Sequence, residues 1–323
     1  MSDRSDRSIR VSSLPKADGG VQSTPALSDL SEKDKPWDKH RAHADTVANY
    51  YAGSEFVLHS QNINFCSQLL EFALAPDADE GAYKLKLKAA RFCRVRHCPV
   101  CQWRRSLRWK AKAHQAIPRV MEDYPKYRWL FVTLTLKNCP IAQLRKSLKW
   151  VNESFKRFSK LKAFPAVGWI KSVEVTRGKD GSAHPHLHIL MLVKPSYFHH
   201  DYLSQAKWVE LWQQCLRVDY KPVLDVQAIK KDLSPHFIIP EILKYQCKES
   251  DLVADREWFL ELTRQLKNTR AIAVGGMLRD YMKELEAEPE DLIGESEEDE
   301  AIDEGALFFG WKRQVKQYRM LPP

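Results

Sequence analysis

The sequence predicts an α+β fold: an antiparallel sheet with helices packed mainly on one face, preceded by a basic, cysteine-bearing module. Three observations lead there. Between Trp129 and Ile229 the chain reads as strand, helix, two strands joined by a turn, helix and strand, with the apolar period switching between 2 and 3.6. The third of these strands, Ala183-His184-Pro185-His186-Leu187-His188-Ile189-Leu190-Met191-Leu192-Val193, is the most informative stretch of the chain. Side chains alternate faces in an extended strand, so His186 and His188 point one way while Leu187 and Ile189 anchor the other face in a core. Upstream, Cys93, Cys98 and Cys101 crowd together inside a run from Glu80 to Glu122 that holds twelve Lys or Arg and no acid between its ends.

Taken in order, residues 1–35 are rich in Ser, Asp, Lys and Gly without apolar periodicity and are expected to be a disordered tail. Residues 36–120 hold the cysteines and the basic run, which Ser106 to His114 continue as a helix with bases on most faces. The sheet domain occupies 125–254. Trp129 to Leu136 alternates β-branched and aromatic residues and reads as a strand. Ile141 to Lys162 reads as a helix because Leu144, Leu148, Val151, Phe155 and Phe158 recur at three- and four-residue intervals. Gly168 to Thr176 is a strand, Arg177 to Ser182 a turn, and His184 to Val193 the histidine strand. Tyr202 to Arg217 is a helix, Val223 to Ile229 a strand, and Pro240 to Ser250 a helix whose Pro240 suits a first helical position. This strand and helix order is ferredoxin-like. Residues 255–323 are expected to be a helical C-terminal region broken by an acidic loop, with the aromatic end around Phe308 to Arg313 packing back onto the body.

The chain has 323 residues, 44% of them hydrophobic, and no apolar run long enough to span a bilayer. Its amino terminus lacks the apolar core of a secretory signal, so a soluble, cytoplasmic protein is expected. The net charge of +9 hides an asymmetry. Residues 284–304 carry twelve acids and no Lys or Arg, so the remainder sets 51 bases against 30 acids, or +21. A positive field of this kind, concentrated on one module, suits a phosphate backbone. No internal repeat and no GxxxxGK[ST] phosphate loop occurs, so strand separation would need another protein.

Two imidazoles side by side on one strand face can hold a metal ion. The plain alternative is a strand with surface histidines. If the turn is centred on residue 180, antiparallel pairing sets Glu174 directly across from His186 on the same face, which makes it the candidate third ligand. The competing reading is an exposed carboxylate paired with Lys171 or Arg177. His184 shares the parity, but its place at the turn before Pro185 suits an orienting or DNA-contacting role. His199 and His200 read as surface residues. The Cys93-x4-Cys98-x2-Cys101 spacing is that of metal ligands rather than a disulfide framework, and a structural zinc takes four ligands. His97 is one candidate for the fourth. Cys139, Cys215 and Cys247 have no spacing partner and read as small buried hydrophobes.

Four segments in this order resemble the motifs of HUH endonucleases, and most of all those of plasmid rolling-circle replication initiators. They are the cysteine block Phe92 to Arg105, Phe131-Val132-Thr133-Leu134-Thr135-Leu136, His184-Pro185-His186-Leu187-His188, and Leu243-Lys244-Tyr245-Gln246-Cys247-Lys248. The resemblance covers roughly residues 60–280.

The resemblance implies a site-specific DNA strand transferase in which Tyr245 is the single nucleophile. A phenol with a pKa near about 10 is a poor nucleophile at neutral pH, so an adjacent Mn²⁺ or Mg²⁺ and Lys248 would favour the phenolate. Attack would leave a 5′-phosphotyrosyl link and a 3′-hydroxyl that primes a polymerase. Glu241, one helical turn earlier, occupies the place of a glutamate that activates water to end the reaction; it could instead pair with Lys244 or Lys248. The family pattern also places a cysteine before a Leu-Glu-Phe sequence, making Cys66, before Leu70-Glu71-Phe72, the other candidate for the fourth Zn²⁺ ligand. Arg104, Arg105, Arg108, Lys110 and Lys244 are the expected DNA contacts, and Trp103 and Trp109 either stack on bases or belong to the core. The implied partners are plasmid origin DNA, single-stranded and duplex, with a host helicase and polymerase and no membrane. Two other readings stay open: a zinc-containing DNA-binding regulator without catalysis, and an HUH transposase or relaxase.

Overall fold

The computed structural model of the chain describes residues 24–76, 82–230, 239, 247–284 and 302–322, together with the backbone of 9–10. In chain order its elements are β1 (Ile9–Arg10), α1 (Leu27–Leu30), α2 (Pro36–Tyr51), α3 (Val57–Asn64), β2 (Leu69–Pro76), β3 (Ala82–Ala90), α4 (Pro99–Asp123) and β4 (Arg128–Thr135). There follow α5 (Leu144–Phe158), β5 (Ala166–Arg177), β6 (Ala183–Val193), α6 (Gln205–Leu216), β7 (Leu224–Ala228), α7 (Glu249–Leu252) and α8 (Arg256–Leu266). The chain closes with β8 (Ile272–Gly276), α9 (Leu278–Glu284), β9 (Ile302–Lys312) and β10 (Gln317–Met320). Two compact units result, one from Met1–Arg105 and Asp291–Pro323 and one from Ser106–Glu290, with the boundary inside α4. No described helix is long and apolar enough to cross a membrane.

The second unit holds the expected sheet. Its strand order is β7-β4-β6-β5-β8, every neighbouring pair antiparallel. Without the edge strand β8, the elements β4, α5, β5, β6, α6 and β7 follow the β-α-β-β-α-β plan. The apolar stripe of α5 is buried as its spacing requires, with Phe155 edge-on to Trp169 at 5.0 Å and Phe158 against Trp208 and Trp212 of α6. Ser204 caps α6 by accepting from the Lys207 N–H, and Arg217 ends the helix in the left-handed region at φ 58°.

Helices cover both faces, not mainly one. Ile170, Leu190, Leu192 and Trp129 form a buried cluster with Ala113, Ala116, Ile117 and Val120 of α4 and Leu278 and Met282 of α9. The expectation missed this because α4 is dense in bases, yet its apolar side is continuous enough to close over a sheet. A Cβ on Gly168 would lie 2.7 Å from Leu278 Cγ, so glycine is what lets α9 approach. The cluster reaches Leu190 of β6; beyond it, the same sheet face carries His188 and His186.

The first unit contains a sheet that sequence reading did not anticipate, in the order β1-β3-β2-β9-β10 and antiparallel throughout. Phe72 of β2 meets Phe309 of β9 edge-on at 5.7 Å, and Tyr318 of β10 lies against both Trp37 of α2 and Trp311. Two expectations are corrected here. The C-terminal region is not simply helical, since it supplies β8 to one sheet and the β9–β10 hairpin to the other. The tail does not run to residue 35 either. Ala26 bridges Arg319, the Met320 N–H donates to the Pro25 carbonyl, and Ala26 and Leu27 are fully buried. A distant hairpin edge orders these residues, and local composition cannot reveal that. The remainder of the expected tail, apart from the backbone of β1, and residues 285–301 of the acidic loop lie outside the described residues.

Candidate active site

The β5–β6 register sets Glu174 opposite His186 and Ser172 opposite His188. One Glu174 oxygen, Oε2, lies 3.2 Å from His186 Nε2 and 2.9 Å from His188 Nε2. All three side chains are largely buried, and their potential ligand atoms lie within 4.8 Å of one another. The far nitrogens of the rings are occupied: His186 Nδ1 faces the His184 carbonyl at 3.2 Å, and His188 Nδ1 faces Thr133 Oγ1 at 3.2 Å. Such outer contacts fix ring orientation and aim both Nε2 atoms at a common point. Phe131 stacks on His188 at 5.5 Å with the planes 9° apart, completing the wall. Burial alone would push the Glu174 carboxyl up, but the hydrogen bonds with His186 and His188 outweigh it and hold the acid well below the usual carboxylate range. An anionic oxygen beside two imidazole nitrogens is a donor set that fits a divalent cation.

Thr133 is the residue whose role sequence reading left undrawn. It occupies the motif strand, and β4–β6 pairing places it directly across from His188. The strand period alone would have found it.

In the first unit, Cys66, Cys93, Cys98 and Cys101 bring their sulfurs together. Cys66 and Cys93 each lie 3.6 Å from Cys101, and Cys98 lies 3.7 Å from Cys66. Those separations are far beyond a disulfide bond. They match the edge, about 3.8 Å, of a tetrahedron with metal–sulfur bonds of about 2.3 Å. Contacts with the other three sulfurs hold the Cys101 thiol well below its ordinary range; the contacts with Cys101 push Cys93 up, and burial pushes Cys98 up. Of the two candidates for the fourth position, Cys66 joins the group and His97 does not. His97 is buried with Nδ1 3.4 Å from Gln102 Nε2, and burial pushes its pKa down to about 3.

The basic residues divide. Arg105 donates to the carbonyls of Arg94 at 2.7 Å and Arg96 at 3.3 Å, so its guanidinium braces the cysteine loop. Arg104 lies over the rings of Trp37 and Trp103, while Arg108 and Lys110 are half-buried along α4. Trp103 is a buried core residue 4.8 Å from Trp37, and Trp109 is half-buried against the α4 cluster.

Glu241, Lys244 and Tyr245 lie outside the described residues. The helix expected through Ser250 does not pass through Lys248, which is extended (φ −63°, ψ 140°) and serves as the N-cap of α7. The Cys247 thiol is pushed up by burial first and then by the charges of Asp251 and Glu174.

Residues 84–319 match the model of the Rep_1 replication protein family. The chain belongs to that family. Among its relatives, a Protein rep of Lactiplantibacillus plantarum is 35% identical over 83% of this chain and 88% of its own length. A Protein rep of Streptococcus pneumoniae serotype 2 is 33% identical over 80% and 82%. A replication protein of Staphylococcus aureus is 31% identical over 64% of this chain and 96% of its own. No solved structure matches. These findings bear out the likeness to plasmid rolling-circle replication initiators, and among the described residues this family member carries two groups of side chains suited to metal ions.

Proposed function

We propose that this protein starts plasmid replication by nicking one strand of origin DNA through transesterification, with Tyr245 as the nucleophile. The observation that supports it most is the convergence of Glu174, His186 and His188 on one point of the β5–β6 hairpin. A divalent ion held there, Mn²⁺ or Mg²⁺, would polarise the scissile phosphate and offset the charge that develops on its oxygens. Glu174, His186 and His188 would hold that ion, and Thr133 and the His184 carbonyl would keep the rings aimed. The Tyr245 oxygen would bond to phosphorus as the P–O3′ bond breaks. The phenol proton is lost, the departing O3′ takes one up, and the protein stays on the 5′ end. Lys248 would steady the phosphate, and Glu241 would later activate water to close the cycle.

The four cysteines would hold a structural Zn²⁺ and keep the start of α4 in shape. Arg108 and Lys110, with Lys244, would contact DNA, while Arg104 and Arg105 would act by bracing the module. The partners would be single-stranded and duplex origin DNA with a host helicase and polymerase, in the cytoplasm. Incubation with supercoiled DNA carrying the chain's own coding region, with and without Mn²⁺ or Mg²⁺, tests this. Open circles that appear only with the ion support the reading, and uncut DNA under both conditions contradicts it.

A further inference from the structure

The sheet of the first unit buries one face and opens part of the other. Strand alternation sends Leu70, Phe72, Phe309 and Tyr318 to the buried face, where Trp37 of α2 packs against Tyr318. The residues between them point the opposite way. There, pairing sets Phe308 of β9 across from Glu71 of β2, and Gly310 between Leu69 of β2 and Arg319 of β10. Leu69 is 46% exposed and Phe308 37%, so two large apolar side chains meet solvent side by side. Leu321, whose N–H donates to the Phe308 carbonyl, lies over Gly310 and extends the strip.

Positive charge borders this strip on both sides. Leu70 pairs with Ala90, so Arg91, one residue on, stands beside Leu69 at the end of β3. Its guanidinium lies 5.4 Å from the centre of the Phe65 ring, which is itself 58% exposed. Lys88 reaches the face from the β2–β3 bulge, with Nζ 3.6 Å from Glu71 Oε1, so the acid beside the strip is already paired. Across the strip, Lys312 is exposed and shares the parity of Phe308 and Gly310.

We propose that this open face binds single-stranded DNA: Phe308 and Phe65 stack on unpaired bases, while Lys88, Arg91 and Lys312 take the phosphates. Exposed rings on a pleated surface offer a stacking partner to any base, and flanking cations follow the backbone. A duplex keeps its bases inside its own stack, so Leu69 and Phe308 would gain nothing from it. Cations on both sides of the strip fit a polyanion better than an apolar protein surface. The inference rests on the nicking reading above for its source of single strand, since displacement of the nicked strand supplies one.

The test uses the full chain, with Leu69→Thr and Phe308→Thr combined and Arg91→Gln alone. Threonine keeps strand propensity, and Arg91→Gln keeps the carbonyl that accepts from the Ser67 N–H at 2.7 Å. Phe65 stays in place because it adjoins Cys66. Fluorescence anisotropy measures affinity for a labelled thymidine homopolymer of about 16 nucleotides and for a duplex of equal length, across a range of salt. Sedimentation reads the oligomeric state. The double variant should lose about tenfold or more in homopolymer affinity and keep its duplex affinity. Arg91→Gln should weaken homopolymer binding and lower its salt slope by about 0.7. Wild-type homopolymer affinity in the double variant, or an equal loss for the duplex, overturns the inference. A changed oligomeric state with homopolymer affinity intact overturns it in favour of self-association. If the double variant does not fold, an unchanged salt slope in Arg91→Gln overturns it. The homopolymer carries no nick site, so failed binding strikes this inference alone, whereas uncut supercoiled DNA strikes the nicking reading.

Discussion

Glu174 and His188 sit on neighbouring strands with Oε2 and Nε2 2.9 Å apart, and the same oxygen reaches His186 Nε2 at 3.2 Å. One carboxylate oxygen shared by two imidazoles, each ring braced at its far nitrogen, is a preorganised cluster that needs little movement to take up a cation.

The first prediction follows from that bracing. His186→Ala with His188→Ala should abolish metal-dependent cleavage while leaving most duplex binding, because the basic run lies elsewhere in the chain. Thr133→Val, which keeps shape and removes the hydroxyl, should lower Mn²⁺ affinity by about ten- to a hundredfold. A nicking assay reads the first and calorimetric titration of Mn²⁺ the second. Unchanged affinity in Thr133→Val would show that the hydroxyl does not orient His188, and cleavage surviving in the double variant would remove the histidines from the metal site.

The second concerns the cysteines. Purified protein should carry about one tightly held zinc per chain, lost in both Cys66→Ser and Cys98→Ser and kept in His97→Ala. Elemental analysis decides. Zinc retained in Cys66→Ser but lost in His97→Ala would reverse the assignment of the fourth ligand.

The third is a pH dependence inside the sheet domain. Lys171 is buried on β5, its ammonium donating to Asn152 Oδ1 and lying 4.9 Å from the Phe155 ring centre. Burial pushes its pKa down to about 8 from an ordinary value of 10.5. Between those values the unfolded chain binds more protons at this site than the folded one, so the contribution of Lys171 to stability rises with pH across that window. Below the folded value its burial is a constant cost. Relative to Lys171→Met, the wild type should gain up to roughly 3 kcal/mol from neutral pH to above pH 10. Urea unfolding of both proteins across that range checks it, and parallel stability curves would mean the amine stays charged in the fold.

Much of the hairpin at the site is legible by counting. Alternation along His184 to Val193 and a turn at Arg177 to Ser182, with Gly181 at φ 79°, are enough to put Glu174 across from His186. The first sheet is not legible in that way, because Glu71 pairs with Phe308 across most of the chain. Its strand β3 carries a period-two signal, Lys84-Leu85-Lys86-Leu87-Lys88, hidden inside a basic run that reads as a charged surface. Arg105 shows the same limit: charge suggests a DNA contact, whereas tertiary placement gives its guanidinium to two carbonyls. Lys248 is another case: helical reading through Ser250 does not foretell its extended backbone at the N-cap of α7.

The fourth prediction separates starting from stopping. Glu241→Ala keeps Tyr245 and the metal ligands, so initial nicking should persist, while the closing step lacks its base and products longer than one plasmid unit should accumulate. Gel sizing of replication products reads this. Normal unit-length circles would make Glu241 an ordinary carboxylate.

The central claim is that Tyr245 attacks the phosphate. Digestion of the cleaved complex and mass spectrometry of its peptides should find a nucleotide joined to Tyr245, formed only with Mn²⁺ or Mg²⁺, and Tyr245→Phe should yield no adduct while still binding Mn²⁺ as the wild type does. An adduct on another residue, or nicking by Tyr245→Phe at the wild-type rate, would contradict the account.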